Sequence, residues 1–203
     1  MIKNFVFDMG RVLIYYDTIR FIERYDVTND EKELLKKEVF DSKEWQRLDD
    51  GTLTEDEFHD ILKTKLPSHL HDIAYKLIYY WDDPIEEVRG MYDLIKTIKE
   101  KGFNIYLLSN AAQRQHLYWP RIGASKFFDG KVISADVKVV KPNPRIYEIL
   151  FNKFNIRPEE SFFVDDVEVN VQAARALGMQ GYVFNHDAEQ LRAYLEKHVF
   201  NQD

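Results

Sequence analysis

Ile2-Lys3-Asn4-Phe5-Val6-Phe7-Asp8-Met9-Gly10-Arg11-Val12-Leu13 is the stretch on which the fold turns. A short apolar run, rich in β-branched and aromatic residues, that stops on a carboxylate reads as a buried parallel strand presenting a reactive group at its carboxyl end. Asp8 is the first candidate for chemistry. The same grammar returns twice: Phe103-Asn104-Ile105-Tyr106-Leu107-Leu108 runs into Ser109-Asn110, and Ser161-Phe162-Phe163-Val164 runs into Asp165-Asp166. Open parallel sheets bind ligands outside the carboxyl ends of their strands, so these ends are expected to meet at one site.

Around them the chain alternates. Residues 17–83 read as helices, with start signals at Thr28-Asn29-Asp30-Glu31 and Thr52-Leu53-Thr54-Glu55-Asp56-Glu57 and a turn at Asp49-Asp50-Gly51. Pro84 is expected at the first position of the next helix, apolar residues fall on one helical face over 85–101, and Gly102 ends the run. There follow a strand to Ser109, a helix from about Ala112, a short strand around Lys131-Val132-Ile133, a helix from Pro144, a strand to Asp165, a helix to Leu177, the strand Gly181-Tyr182-Val183-Phe184 and a last helix. Such alternation implies an α/β fold with a parallel, Rossmann-like sheet covered on both faces. The expected organisation is a core of residues 1–16 and 84–203 with a helical cap, 17–83, inserted after the first strand. Hinges near Tyr15-Tyr16 and Asp82-Asp83 would let that cap open and shut over the crevice.

At 203 residues, the chain has room for one well-packed domain with a modest insertion. A net charge of -7 gives no reason to expect nucleic acid as a partner, and any anion must be held by local cations or a metal. The chain has no cysteine, which excludes disulfides, thiolate nucleophiles and thiolate-bound zinc. The first apolar run is too short for a signal peptide or a membrane span, so a cytoplasmic location and no membrane partner are expected.

Motifs in order across most of the chain carry a family resemblance. They are Phe7-Asp8-Met9-Gly10-Arg11-Val12-Leu13, Leu108-Ser109-Asn110, Lys141-Pro142-Asn143-Pro144-Arg145-Ile146-Tyr147 and Phe163-Val164-Asp165-Asp166-Val167-Glu168-Val169-Asn170. The chain resembles the haloacid dehalogenase superfamily, in the branch whose cap follows the first motif and which includes small sugar-phosphate phosphatases. The resemblance implies a Mg²⁺-dependent phosphatase for a small phosphorylated metabolite, working as a monomer or homodimer. Asp8 would attack phosphorus to form an aspartyl-phosphate, with Ser109 and Lys141 as its catalytic partners. Phosphate contacts would come from Met9, Gly10, Arg11, Ser109, Asn110 and Lys141. The metal ligands would be Asp8, the Gly10 carbonyl and Asp166, with Asp165 joining through water and Asn170 holding the loop.

One position departs from the pattern. Active phosphatases of that superfamily usually carry a second aspartate two residues after the nucleophile, where this chain has Gly10. Losing a positioned general acid commonly costs about 10²- to 10⁴-fold in rate. Asp17 and His116 are candidate substitutes. Two other readings follow from the gap: a degenerate binding module that turns nothing over, and a 2-haloacid dehalogenase, whose halide leaves without a proton. Against the dehalogenase, those relatives use no Mg²⁺ and lack the paired aspartates. His69-Leu70-His71 reads as a solvated helix end, Trp45, Tyr79, Tyr80 and Trp81 as packing within the cap ahead of lining its underside, and the acids at 49–50 and 55–57 as wet helix caps.

Overall fold

The computed structural model describes residues 1–200. Strand β1, Asn4–Phe7, is followed by helices only: α1 (Thr18–Ile22), α2 (Asn29–Leu35), α3 (Lys43–Asp49), α4 (Glu55–Lys65), α5 (His71–Tyr79) and α6 (Met91–Glu100). Then come β2 (Asn104–Ser109), α7 (Gln115–Tyr118), β3 (Gly130–Ile133), α8 (Ser134–Val137), α9 (Pro144–Phe154), β4 (Ser161–Asp165), α10 (Glu168–Ala176), β5 (Gln180–Val183) and α11 (Ala188–Leu195). The strands form one five-stranded sheet in the order β3-β2-β1-β4-β5, every pair parallel. β1 is central because all four of its residues are buried, which suits a strand covered on both faces.

Alternation decides what each face holds. Phe5, Phe7, Ile105, Leu107, Phe162 and Val164 belong to one hydrophobic cluster, whereas Val6, Tyr106, Leu108 and Phe163 belong to another with α9 and α10 residues Ile146, Tyr147 and Val171. The first cluster runs unbroken into the helical segment through Phe21, Val39, Leu48, Phe58 and Trp81. Two of those helices, α2 and α4, begin where their side chains allow: Thr28 and Thr54 each accept the N3 amide while Glu31 and Glu57 reach back to the cap amide, a complete capping box at each N-terminus.

The helix expected from Pro84 does not form there. Residues 85–88 spend their backbone groups on the loop after β1: Tyr15 N–H donates to Glu86 O at 2.8 Å and Val88 N–H to Leu13 O at 2.9 Å. Gly90, at φ +84°, then turns the chain into α6, so tertiary hydrogen bonds override a helical pattern that was real only from Met91 onward. The helix expected from about Ala112 is likewise reduced to α7 and a 3₁₀ turn holding Pro120, and β5 begins at Gln180, one residue earlier than the sequence pattern implied. No helix is long and apolar enough to cross a membrane among the described residues.

Candidate active site

Asp8 follows Val6 by two residues, and Asp165 follows Phe163 by two, so both carboxylates emerge on the same face of the sheet. Pairing of Phe7 with Val164 sets them level, and the Asp8 N–H donates to Val164 O at 2.9 Å. Into the gap between them comes Lys141, from the loop ahead of α9, its Nζ 2.6 Å from Asp8 Oδ1 and 2.6 Å from Asp165 Oδ2. The lysine side chain is 1% exposed and lies over the Phe163 ring. Burial works against its charge, but the two carboxylates outweigh it and hold the ammonium above its ordinary pKa. Burial likewise pushes the Asp8 carboxyl well above the carboxylate range, although Lys141 pulls the other way.

Neighbours fix each member. Asp165 accepts the Val167 N–H at 2.8 Å and the Asn170 amide at 3.1 Å on each oxygen, while Asn170 O accepts the Tyr147 hydroxyl at 2.8 Å. Asn110 clamps the Lys141 peptide from both sides: its Nδ2 donates to Lys141 O at 3.0 Å and its Oδ1 accepts the Lys141 N–H at 2.7 Å. Its side chain therefore positions the lysine. Asp166 follows Asp165 just past the end of β4 and lies 3.8 Å from an Arg11 nitrogen. Asp8, Asp165 and Asp166 each offer an oxygen, and these three atoms lie within 4.8 Å of one another. An all-oxygen cluster of three carboxylates against a single shared ammonium suits a hard divalent cation, and softer ligands are absent from it.

Asp8 and Lys141 open into a cavity of about 430 Å³. Asp8, Gly10, Arg11, Lys141 and the Asn110 to Ala112 segment line it from the sheet and its loops, and Trp45, Asp49 and Trp81 from the helical segment. Ser109 is 1% exposed and closes β2 just before Asn110, and the Met9 side chain turns into the core, where its sulfur meets the Gln115 amide at 3.7 Å. Trp45 and Trp81 do more than pack, since each also lines the cavity; Tyr79 is held by Asp56, and Tyr80 is half exposed. His69 pairs with Glu31 and His71 with the Leu66 carbonyl, in keeping with a solvated helix end.

The haloacid dehalogenase-like hydrolase family matches residues 2–178. The chain belongs to that family. Among curated relatives, it is 32% identical over 114 residues to mouse bifunctional epoxide hydrolase 2, a match covering 54% of this chain and 20% of that protein. It is 29% identical over 114 residues to the phosphorylated carbohydrates phosphatase of Thermotoga maritima, covering 55% of this chain and 53% of that one. The chain thus spans about half the length or less of these relatives. A family enzyme from Bacteroides thetaiotaomicron, solved with magnesium and inorganic phosphate, superposes with a TM-score of 0.71 at 25% identity, over 94% of this chain and 99% of that one.

Against the family pattern, Gly10 is a vacancy of chemistry rather than of space. A Cβ built there meets only the Tyr16 Cβ, at 3.9 Å, so a side chain could start from this position without a clash at its first carbon. Neither substitute expected from the sequence reaches the cavity: Asp17 caps α1 by accepting the Ile19 and Arg20 amides, and His116 pairs with Asp136 at 3.1 Å. Three carboxylates of the helical segment do reach it, Asp41, Asp49 and Glu55; Asp41 is paired with Lys36, and Asp49 lies in a turn whose composition alone reads as a wet helix cap.

That turn is docked on the core. Asp49 O accepts the Ser134 hydroxyl, Gly51 O accepts the Lys138 ammonium, and Ser134 Oγ in turn accepts the Ala111 N–H at 2.9 Å. Gly51 sits at φ +69°, and a Cβ there would lie 2.5 Å from Ala135 O. Gly51→Ala is therefore expected to destabilise the protein by about 1–2 kcal/mol or more, read as a lowered midpoint in denaturant unfolding.

Proposed function

We propose that this hydrolase is a Mg²⁺-dependent phosphatase that cleaves a small phosphorylated metabolite, a sugar phosphate first among them, through an aspartyl-phosphate on Asp8. The observation that carries the reading is the Lys141 ammonium bound to Asp8 and Asp165 at once, close to Asp166 and lining a cavity sized for a small ligand. Asp8, Asp166 and the Gly10 carbonyl, with Asp165 behind them, would hold the divalent cation. When bound it would offset the repulsion between carboxylate and phosphate dianion and align the two.

The chain's own residues supply the rest. The Asp8 oxygen not engaged by Lys141 attacks phosphorus, and the phosphoryl oxygens meet the lysine ammonium and the amides at the start of the β2 loop. The Asn110 clamp and the Val167 and Asn170 bonds to Asp165 keep that lysine from following the transferred charge. Residues 17–83 would act as the cap that selects the organic part of the substrate, with Trp45 and Trp81 as apolar walls. The cation-suited carboxylate cluster weighs against the dehalogenase reading, since halide departure calls for no such cluster.

Phosphate release from a panel of phosphomonoesters, with Mg²⁺ and with a chelator, tests the proposal. Release with the metal and its loss on chelation are expected, together with Mg²⁺ stabilisation of about 3 kcal/mol at a hundredfold excess over Kd, read from thermal unfolding. Halide release from a 2-haloacid in the presence of chelator would overturn it.

A further inference from the structure

We propose that Asp49, delivered from the end of α3, is the general acid and base of this site, in place of the side chain that Gly10 lacks. The proposal rests on the phosphatase reading above. Asp49 lines the same cavity as Asp8 but is carried by the helical segment, whereas Asp8 ends β1, so a phosphate attacked by Asp8 can present its leaving oxygen to Asp49. Its backbone is pinned to the core through Ser134, and Gly51 lets the turn press onto the Ala135 backbone, so the carboxyl is placed rather than loose. Asp50, its neighbour, is occupied within the turn, accepting the Thr52 N–H at 2.9 Å and the Thr52 hydroxyl at 2.5 Å.

The surroundings favour a carboxyl that holds a proton. The residue closes α3 at its negative end, and the charged groups acting on it are Asp50 and Asp8, both acidic, against the Ala112 N–H alone. Tyr16 and Tyr118 face it with phenols that burial keeps protonated. The cations of the cavity are engaged elsewhere: Lys36 with Asp41, Arg11 with Asp166, Lys141 with Asp8 and Asp165, and Arg114 with Asp82 at 3.5 Å. Burial, with Asp50 adding to it, pushes the Asp49 carboxyl up to about 7, where an acid can both give and take a proton near neutrality.

The cycle balances. Asp8 forms its bond to phosphorus as the bond to the leaving oxygen breaks; that electron pair takes the Asp49 proton and the alcohol leaves. The Asp49 carboxylate then takes a proton from water, whose oxygen attacks phosphorus and expels Asp8, giving hydrogen phosphate.

Phenyl phosphate and p-nitrophenyl phosphate share a shape and differ in the basicity of the leaving oxygen, so they isolate the acid. For Asp49→Asn, kcat/KM on phenyl phosphate is expected to fall by about 10²- to 10⁴-fold, and on p-nitrophenyl phosphate by less than about tenfold. Loss of the base in the second step should make the aspartyl-phosphate accumulate, seen as a burst of nitrophenolate stoichiometric with enzyme. Thermal unfolding at pH 8 checks the fold: a carboxyl whose pKa is raised on folding stabilises fully below about pH 4 and loses that contribution as pH rises through about 7, so the neutral amide is expected to be no less stable at pH 8. Equal losses on both esters without a burst, or no loss on either, would overturn the assignment. If the wild-type chain releases no phosphate from either ester above an Asp8→Asn control, the phosphatase reading itself fails, and this proposal with it.

Discussion

Asp8→Asn is expected to cut phosphate release by about 10⁴-fold or more, the scale on which loss of a nucleophile is felt. An amide has the carboxylate's shape but little nucleophilicity, and it can still meet the Lys141 ammonium through its carbonyl oxygen. Packing should be kept, because the side chain is already enclosed between β1, β4 and the Lys141 loop. Stability should hold or rise at neutral pH. Burial raises the Asp8 carboxyl on folding, so the wild-type residue contributes stability that is complete below its unfolded pKa and lost as pH rises through the folded one. The amide has no such loss. Phosphate release measured beside a denaturant unfolding curve separates the two effects, and a variant that retains activity within tenfold of wild type would remove Asp8 from the chemistry.

The parts of this site that were legible in the sequence are those written by strand ends. Asp8, Asn110 and Asp165 each follow an apolar run, and a parallel sheet must bring such ends together; the structure does so, with β1 between β2 and β4. The capping boxes at Thr28 and Thr54 were legible for the same reason, being local chemistry with local partners. What was not legible depended on partners distant in sequence. Residues 85–88 carry a helical pattern but bond to the loop after β1. Asn110 reads as a phosphate contact, and only the fold shows its amide gripping the Lys141 peptide. Asp49-Asp50-Gly51 has the composition of any solvated turn. The one clue was Gly51, since a left-handed residue is needed wherever a turn must also lie flat on another backbone, here that of Ala135.

Lys141→Met is expected to be the most destabilising single change at the site, because it leaves two buried carboxylates facing each other. Breaking a buried ion pair by removing one partner typically costs about 3–5 kcal/mol, and here one cation serves two anions. Methionine keeps most of the volume and the contact with the Phe163 ring, so the loss reports charge more than packing. The sign of its pH dependence follows. The proton that relieves the repulsion is taken by Asp8, whose carboxyl burial already raises. With the ammonium gone, burial and Asp165 both push Asp8 upward and nothing of comparable strength opposes them. A raised carboxyl stabilises at low pH and loses that contribution as pH rises. The deficit of Lys141→Met against wild type should therefore be large at pH 8 and shrink at pH 5, in denaturant unfolding done with a chelator present. A deficit of the same size at both pH values would mean that Lys141 serves as a packing group, and the electrostatic account of the site, on which the attack by Asp8 depends, would have to be abandoned.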